Sequence, residues 1–321
     1  MPVLEVENLT TNYKTLRGWV RAAEDVNFTL EKGEAMGLVG ESGCGKTTIA
    51  LSLLKLLPTA GKIRKGRILF NGQDLVKMSD RQIRKVRWKG IAIIFQGAMN
   101  ALNPVFKVSD QITEAIRLHD PDVSRSQARD RVAALFEMVG VDPGRADNFP
   151  HEFSGGMRQR ALIAMALCSD PEVLVADEPG TALDVVVQAQ ILKLLRDLKD
   201  KLNLAMVFIS HDLSIVAETC DKLAIMYAGH MVEYGTAKAV FAKPLQPYTQ
   251  GLLGAFPNIK AARQKLVSIP GQPPDLLDPP KGCRFHPRCP YVMDVCRTVE
   301  PKFLPADGTD HLAKCHLFPQ T

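Results

Sequence analysis

The chain has 321 residues, 46% of them hydrophobic and 23% charged, which is an ordinary globular composition with room for one large domain or two smaller ones. Its net charge of +5 permits contact with anionic lipid or nucleic acid and demands neither. No uncharged apolar run approaches a membrane span, and Met1-Pro2-Val3-Leu4-Glu5-Val6-Glu7 lacks the basic-then-apolar order of a secretory signal, so a cytoplasmic protein is expected.

Leu4 to Leu9 alternates and predicts a strand; Tyr13 follows in a polar stretch, and Ala23 to Leu30 alternates again. Glu34 to Val39 is a short apolar run that reads as a buried strand. It runs into Gly40-Glu41-Ser42-Gly43-Cys44-Gly45-Lys46-Thr47-Thr48, which has the spacing G-x-x-x-x-G-K-[ST] of a phosphate-binding loop. Glycines let successive N–H groups turn inward around a phosphate, and the following helix adds its partial positive charge. In that reading Ser42, Gly43, Cys44, Gly45, Lys46, Thr47 and Thr48 line the phosphates. Lys46 reaches the β- and γ-phosphates, and the Thr47 hydroxyl ligates Mg²⁺. Helical spacing runs from Thr47 to Leu57 and stops at Pro58. Gly66 to Phe70 with Asn71-Gly72 predicts a strand and tight turn, completing a small antiparallel layer beside the phosphate-loop strand. Ser79 to Lys89 reads as a basic helix with a solvated face, contact with anionic lipid being the alternative. Ile91 to Phe95 is a buried strand.

From Val108 to about Leu167 the pattern is helical, with Val108 to Leu118 and Ser124 to Val139 separated by Pro121 and a further helix starting at Ser154. This block, about residues 97–168, reads as a helical subdomain inserted in a nucleotide-binding fold. Strands return at Val173 to Ala176, Leu204 to Ile209 and Lys222 to Tyr227, with a helix at Val185 to Leu202. The alternation predicts an α/β fold with a mostly parallel sheet, whose ligands sit at the carboxyl ends of the strands. After Tyr234 the chain turns proline-rich (Pro244, Pro247, Pro257, Pro270, Pro273, Pro274, Pro279, Pro280), so little regular structure is expected, and a boundary is placed near residue 240.

The strand Val173-Leu174-Val175-Ala176 ends in Asp177-Glu178. Beside a phosphate loop, Asp177 can hold Mg²⁺ and Glu178 can orient or deprotonate the attacking water. Ser154-Gly155-Gly156-Met157-Arg158-Gln159-Arg160 pairs a helix-capping serine with two glycines just inside the helix start. Those glycines cost stability unless backbone must approach something closely, and an anion at this N-terminus would explain them. Cys283, Cys289, Cys296 and Cys315 crowd the tail, with five, six and eighteen residues between them. A structural zinc site has a tighter pair, and neither ferredoxin spacing matches. Spacing alone therefore reads as a metal held by four thiolates, against unligated structural thiols. Cys44 is expected to point away from metal, and Cys168 and Cys220 to be buried structural thiols.

Together GESGCGKTT, SGGMRQR, VLVADEP and Ser210-His211-Asp212, in this order, resemble the ATP-binding subunits of ABC transporters. The resemblance implies a P-loop NTPase of ABC type over residues 1–240, in which two nucleotides are sandwiched between two subunits. Ser154, Gly155 and Gly156 then form the signature motif facing the γ-phosphate held by the partner. Gln96 is the Q-loop residue, sensing Mg²⁺ and water. Ala182-Leu183-Asp184 is the D-loop, and His211 contacts the γ-phosphate. Tyr13 stacks on adenine, with Trp19 the weaker candidate. Gln246-Pro247-Tyr248-Thr249-Gln250-Gly251-Leu252-Leu253, Gly282 to Pro290, Cys296, His311 to Leu317 and Ala101-Leu102-Asn103-Pro104 are similar to oligopeptide/dipeptide importer ATPases. In those proteins the four-cysteine pattern ligates a [4Fe-4S] cluster. That cluster is the expectation for residues 241–321, with zinc second and His286 and His316 as replacement ligands. Two departures stand out: Gly97-Ala98 replaces an acidic residue and proline, and Gly180 replaces a threonine or serine.

The function so implied is ATP hydrolysis, with Lys46, Gln96, Glu178 and His211 as catalytic groups, driving uptake of oligopeptides or dipeptides. The implied partners are a second ATP-binding subunit of a related but different chain, two permease subunits and an extracytoplasmic solute-binding protein, at the cytoplasmic face of the membrane and without nucleic acid. Nickel chelates or oligosaccharides are alternative cargoes. A soluble ABC ATPase acting on DNA or ribosomes is the rival of another class, and a redox or iron-sensing regulator is a third reading.

Overall fold

The computed structural model describes residues 1–97, 101–255, 269–305 and 310–318. Ala98, half of the Gly97-Ala98 departure, and Pro257 lie outside them. The chain forms two compact units. One comprises Met1–Leu4, Leu30–Glu34 and Phe70–Phe208; the other comprises Glu5–Thr29, Ala35–Leu69 and Ile209–Thr321. The boundary placed near residue 240 falls inside the second unit.

In the first unit Ile91–Ile94 pairs in parallel with Val173–Asp177, Ile91 opposite Val173 and Ile94 opposite Ala176. Ala205–Ser210 lies on the other side of Val173–Asp177. These runs are aliphatic at nearly every position and almost wholly buried, as strands covered on both faces require. Helices Val108–His119, Arg125–Val139 and Gly155–Leu167 pack on one another. Ile112, Ile116, Val132 and Phe136 are buried between them, and Phe153 meets Phe136 edge to face. The start signals operate as read. Ser124 and Gln127 close a capping box, and Ser79 and Gln82 close another ahead of helix Asp80–Val86. Arg125–Val139 ends at Gly140, whose φ of 71° is the left-handed stop that glycine tolerates.

In the second unit Leu4–Thr15 lies between Gly18–Leu30 and Gly61–Phe70 in one sheet. Both N-terminal strands are longer than the alternation predicted, because their far halves are polar and partly exposed. The other sheet is mixed, which corrects the mostly parallel expectation. Ala35–Val39 runs parallel to Lys222–Tyr227, with Met36 opposite Lys222. Lys222–Tyr227 turns through Ala228 and Gly229, both at positive φ, into the antiparallel strand His230–Thr236. Leu312–Lys314 pairs antiparallel with that strand, and Phe303–Pro305 with Leu312–Lys314. The tail expected to lack regular structure therefore extends the sheet edge. It also carries helices Ala237–Ala242, Pro247–Gly254 and Asp294–Thr298. Among the described residues no helix is long and apolar enough to cross a membrane.

Candidate functional site

The fully buried strand Ala35–Val39 delivers the chain to Gly40. Gly40 has φ +155°, and a Cβ there would lie 2.1 Å from the Met226 carbonyl oxygen. Gly45, φ +110°, would place one 2.1 Å from the Ala22 carbonyl oxygen. No other residue fits either position. Gly43, at φ +80°, faces open space. Helix Lys46–Leu53 begins directly after Gly45 with no side-chain cap on its first N–H groups, the arrangement that suits an anion. The Lys46 ammonium donates to the carbonyls of Gly40 (2.7 Å) and Glu41 (3.1 Å). Ser42, Gly43 and Thr47 are exposed, whereas Thr48 is buried. Cys44 is buried beneath the loop, and burial pushes its thiol up, so it stays protonated at neutral pH.

Sequence reasoning missed what grips this loop. The Glu41 N–H donates to the Tyr248 hydroxyl at 2.9 Å. The Glu41 carboxylate accepts two hydrogen bonds from Arg288, at 2.7 and 3.0 Å.

In the other unit Asp177 is buried at the end of its strand. Glu178 stands at φ +48°, a strained conformation for a non-glycine residue, and Ala182 at +68° repeats it. The Glu178 carboxylate accepts from the Gln96 amide at 2.7 Å and from the Thr181 hydroxyl at 2.9 Å. Gln96 and Glu178, expected from the sequence to serve one reaction, are thus in hydrogen-bond contact. Gly180 has a packing reason: a Cβ there would sit 2.5 Å from Gln188 Cγ. Asp184 caps helix Val185–Leu202, accepting from the Val187 N–H at 2.9 Å.

Ser154 caps helix Gly155–Leu167 as read, its hydroxyl accepting from the Met157 N–H at 3.3 Å. Gly156 serves packing as well: a Cβ would come within 2.7 Å of Val187 Cγ1. His211 is exposed just beyond strand Ala205–Ser210, next to a turn in which the Asp212 N–H donates to the Ser210 hydroxyl. Tyr13 packs its ring on Gly61, where a Cβ would lie 2.8 Å from it. Trp19 is occupied by the Arg64 guanidinium, 4.9 Å above its ring.

The four tail cysteines are unbridged thiols. The Cys283 N–H donates to the Cys296 carbonyl at 2.9 Å, and Gly282, φ +69°, lies so close that a Cβ would be 2.4 Å from that oxygen. Burial, then the negative charge of the neighbouring cysteines, pushes Cys283 and Cys315 up to about 11. Cys289 is raised by burial and by Cys296. Yet among the described residues no group of three or more His, Cys, Asp or Glu side chains is arranged to hold a metal ion. Neither the [4Fe-4S] expectation nor the zinc one gains support from this geometry. Nor does replacement ligation by histidine: His286 Nδ1 lies 2.9 Å from the Cys283 carbonyl, and His316 Nε2 2.9 Å from that of Val299. Cys168 and Cys220 are buried, and burial pushes Cys168 up to about 11, as suits inert structural thiols.

A family described as ABC transporter matches residues 23–181, and one described as oligopeptide/dipeptide transporter, C-terminal region, matches residues 232–296. The oligopeptide transport ATP-binding protein OppD of Bacillus subtilis is 46% identical over 321 residues, spanning 99% of this chain and 89% of that protein. The dipeptide transport ATP-binding protein DppD of the same organism is 48% identical, spanning 93% and 90%. Among solved structures, cbiO1 from Clostridium perfringens, part of the ABC transporter complex cbiONQ, superposes with a TM-score of 0.65 at 29% identity, over 75% of this chain and 91% of that one.

Proposed function

The chain belongs to the ABC transporter family, among its oligopeptide and dipeptide ATP-binding subunits, and from that we propose a residue-level account of how it hydrolyses ATP to energise peptide uptake. The N–H groups from Ser42 to Thr48 and the ammonium of Lys46 bind the β- and γ-phosphates. By likeness to the family, Thr47, Gln96 and Asp177 are the residues that would hold Mg²⁺, which would supply charge neutralisation on the phosphates. Glu178 takes the proton of the attacking water, His211 contacts the γ-phosphate, and Tyr13 stacks on adenine. Ser154, Gly155 and Gly156 serve the nucleotide of a second ATP-binding subunit. The observation that carries this reading is the Gln96–Glu178 hydrogen bond at 2.7 Å, on a residue kept in a strained backbone conformation. A carboxylate held that way is preorganised for one proton transfer.

Lys46→Ala should abolish nucleotide binding in an equilibrium titration with ATP; unchanged affinity would contradict the phosphate-loop role. The match to the C-terminal region of oligopeptide/dipeptide transporters supports peptide cargo over nickel chelates or oligosaccharides. The working assembly is this chain with a related second ATP-binding subunit and two permease subunits at the cytoplasmic face of the membrane, fed by a solute-binding protein. The tail thiols ligate a [4Fe-4S] cluster in this reading. That part rests on the likeness of the four-cysteine spacing to importer ATPases alone, since no described side-chain group is arranged to hold a metal. Iron and acid-labile sulfide on anaerobically purified protein test it, and their absence would remove the cluster while leaving the ATPase account standing.

A further inference from the structure

The phosphate loop is held partly by its own bonds, the Cys44 N–H to the Glu41 carbonyl and Lys46 to the carbonyls of Gly40 and Glu41, and partly from outside. Gly40, Gly43 and Gly45 all sit at positive φ, and glycine imposes no steric preference on either side of them. Glu41 is where residues outside the loop take hold of it. The Arg288 side chain is only 5% exposed and spends its whole fork. Nη1 and Nη2 go to the Glu41 carboxylate, Nε donates to the Pro270 carbonyl at 2.7 Å, and Nη1 also lies 3.4 Å from the Tyr227 hydroxyl. Tyr248, fully buried, accepts from the Glu41 N–H. Its ring is locked against Tyr227 (4.6 Å between centroids) and Phe285 (5.5 Å). Glu41 also presents its carbonyl to Lys46, so displacing Glu41 displaces the lysine that meets the phosphates.

We propose that Arg288 is a positioning residue for the phosphate loop: with the Tyr248 hydroxyl it clamps Glu41, so that the C-terminal segment sets the shape in which the loop accepts ATP. This rests on the reading of Gly40–Thr48 as the nucleotide loop. A loop that visits its accepting shape a tenth of the time binds its ligand about tenfold more weakly, without altering the chemical step.

The test is equilibrium binding of Mg-ATP, with KM and kcat, on the purified full chain. Arg288→Ala should raise Kd and KM about tenfold and leave kcat within about twofold. Arg288→Lys should fall between, since an ammonium keeps the charge but not the two-pronged fit. Tyr248→Phe should raise Kd about two- to threefold. Lys314→Met removes another buried cation of the same segment that does not touch the loop, and should leave Kd unchanged. If Arg288→Ala fails to fold, Arg288→Lys and Tyr248→Phe decide. Wild-type Kd in the Arg288 and Tyr248 variants, or an equal rise in Lys314→Met, would overturn the proposal. If Lys46→Ala loses ATP while Arg288→Ala keeps it, only the clamp falls; if both keep it, the loop reading falls first.

Discussion

The phosphate loop and the C-terminal tail solve the same problem, holding polar groups in one place, by opposite means. In the loop backbone conformation does most of it, Gly40 and Gly45 occupying conformations and spaces closed to any side chain, with Arg288 gripping Glu41 from outside. In the tail, buried charge does it. Glu233, with no exposure, accepts from the N–H groups of Leu245 (2.8 Å) and Gln246 (2.9 Å) and from His311 (2.7 Å). Arg284 is paired with Glu24, and Lys314 with Glu300. Backbone conformation is indifferent to pH and intolerant of a methyl group, whereas a buried charge network has the reverse sensitivities.

That contrast can be broken at several points. The largest effect is expected away from both regions: Glu178→Gln, which keeps shape and removes the base, should bind ATP yet lower kcat about 10²–10⁴-fold in a steady-state ATPase assay. Undiminished turnover would reassign the catalytic carboxylate. In the tail, Glu233→Ala strands two buried N–H groups and His311 and should cost about 3 kcal/mol in urea unfolding. In the loop, Gly45→Ala meets the Ala22 carbonyl in a left-handed conformation and should cost about 2 kcal/mol and weaken ATP binding, with no dependence on pH. A smaller effect separates the regions by titration. Burial, then Lys314, lowers His230 to about 4 from its ordinary 6.5. Its neutral form is the folded one, so its contribution is complete above about pH 6.5 and is lost as pH falls toward 4. The melting temperature should drop across that window, and His230→Gln should flatten the drop. An unchanged slope would show that other groups carry it. Least of all, Trp19→Ala should leave ATP affinity unchanged, because that ring is engaged by Arg64.

Where chemistry demands a fixed local spacing, the sequence was legible. G-x-x-x-x-G-K-[ST] after an apolar run, two carboxylates at a strand end, and a serine cap three residues ahead of Met157 are short-range patterns, and the chain folds there as read. What stayed hidden depends on partners remote in sequence. Phe303–Pro305 and Leu312–Lys314 are three residues long, too short for any period, and are strands only because Glu233 and Tyr234 offer an edge to pair with. The sheet is mixed already at His230–Thr236, antiparallel to Lys222–Tyr227, and that addition extends its antiparallel edge. Gly156 and Gly180 look like sites for a ligand or an odd substitution until Val187 and Gln188 are seen against them. The grip on Glu41 joins residues 207 and 247 positions away, a distance at which local patterns carry no information.

That last separation also sets an order of events. At roughly 5–20 residues per second, about 10–50 s pass between synthesis of Glu41 and synthesis of Arg288. Throughout that interval the loop is present on the nascent chain without its salt bridge. An element proposed to bind nucleotide is thus finished by residues 247 positions later, and a product of translation interrupted between them would carry the motif without the clamp that shapes it.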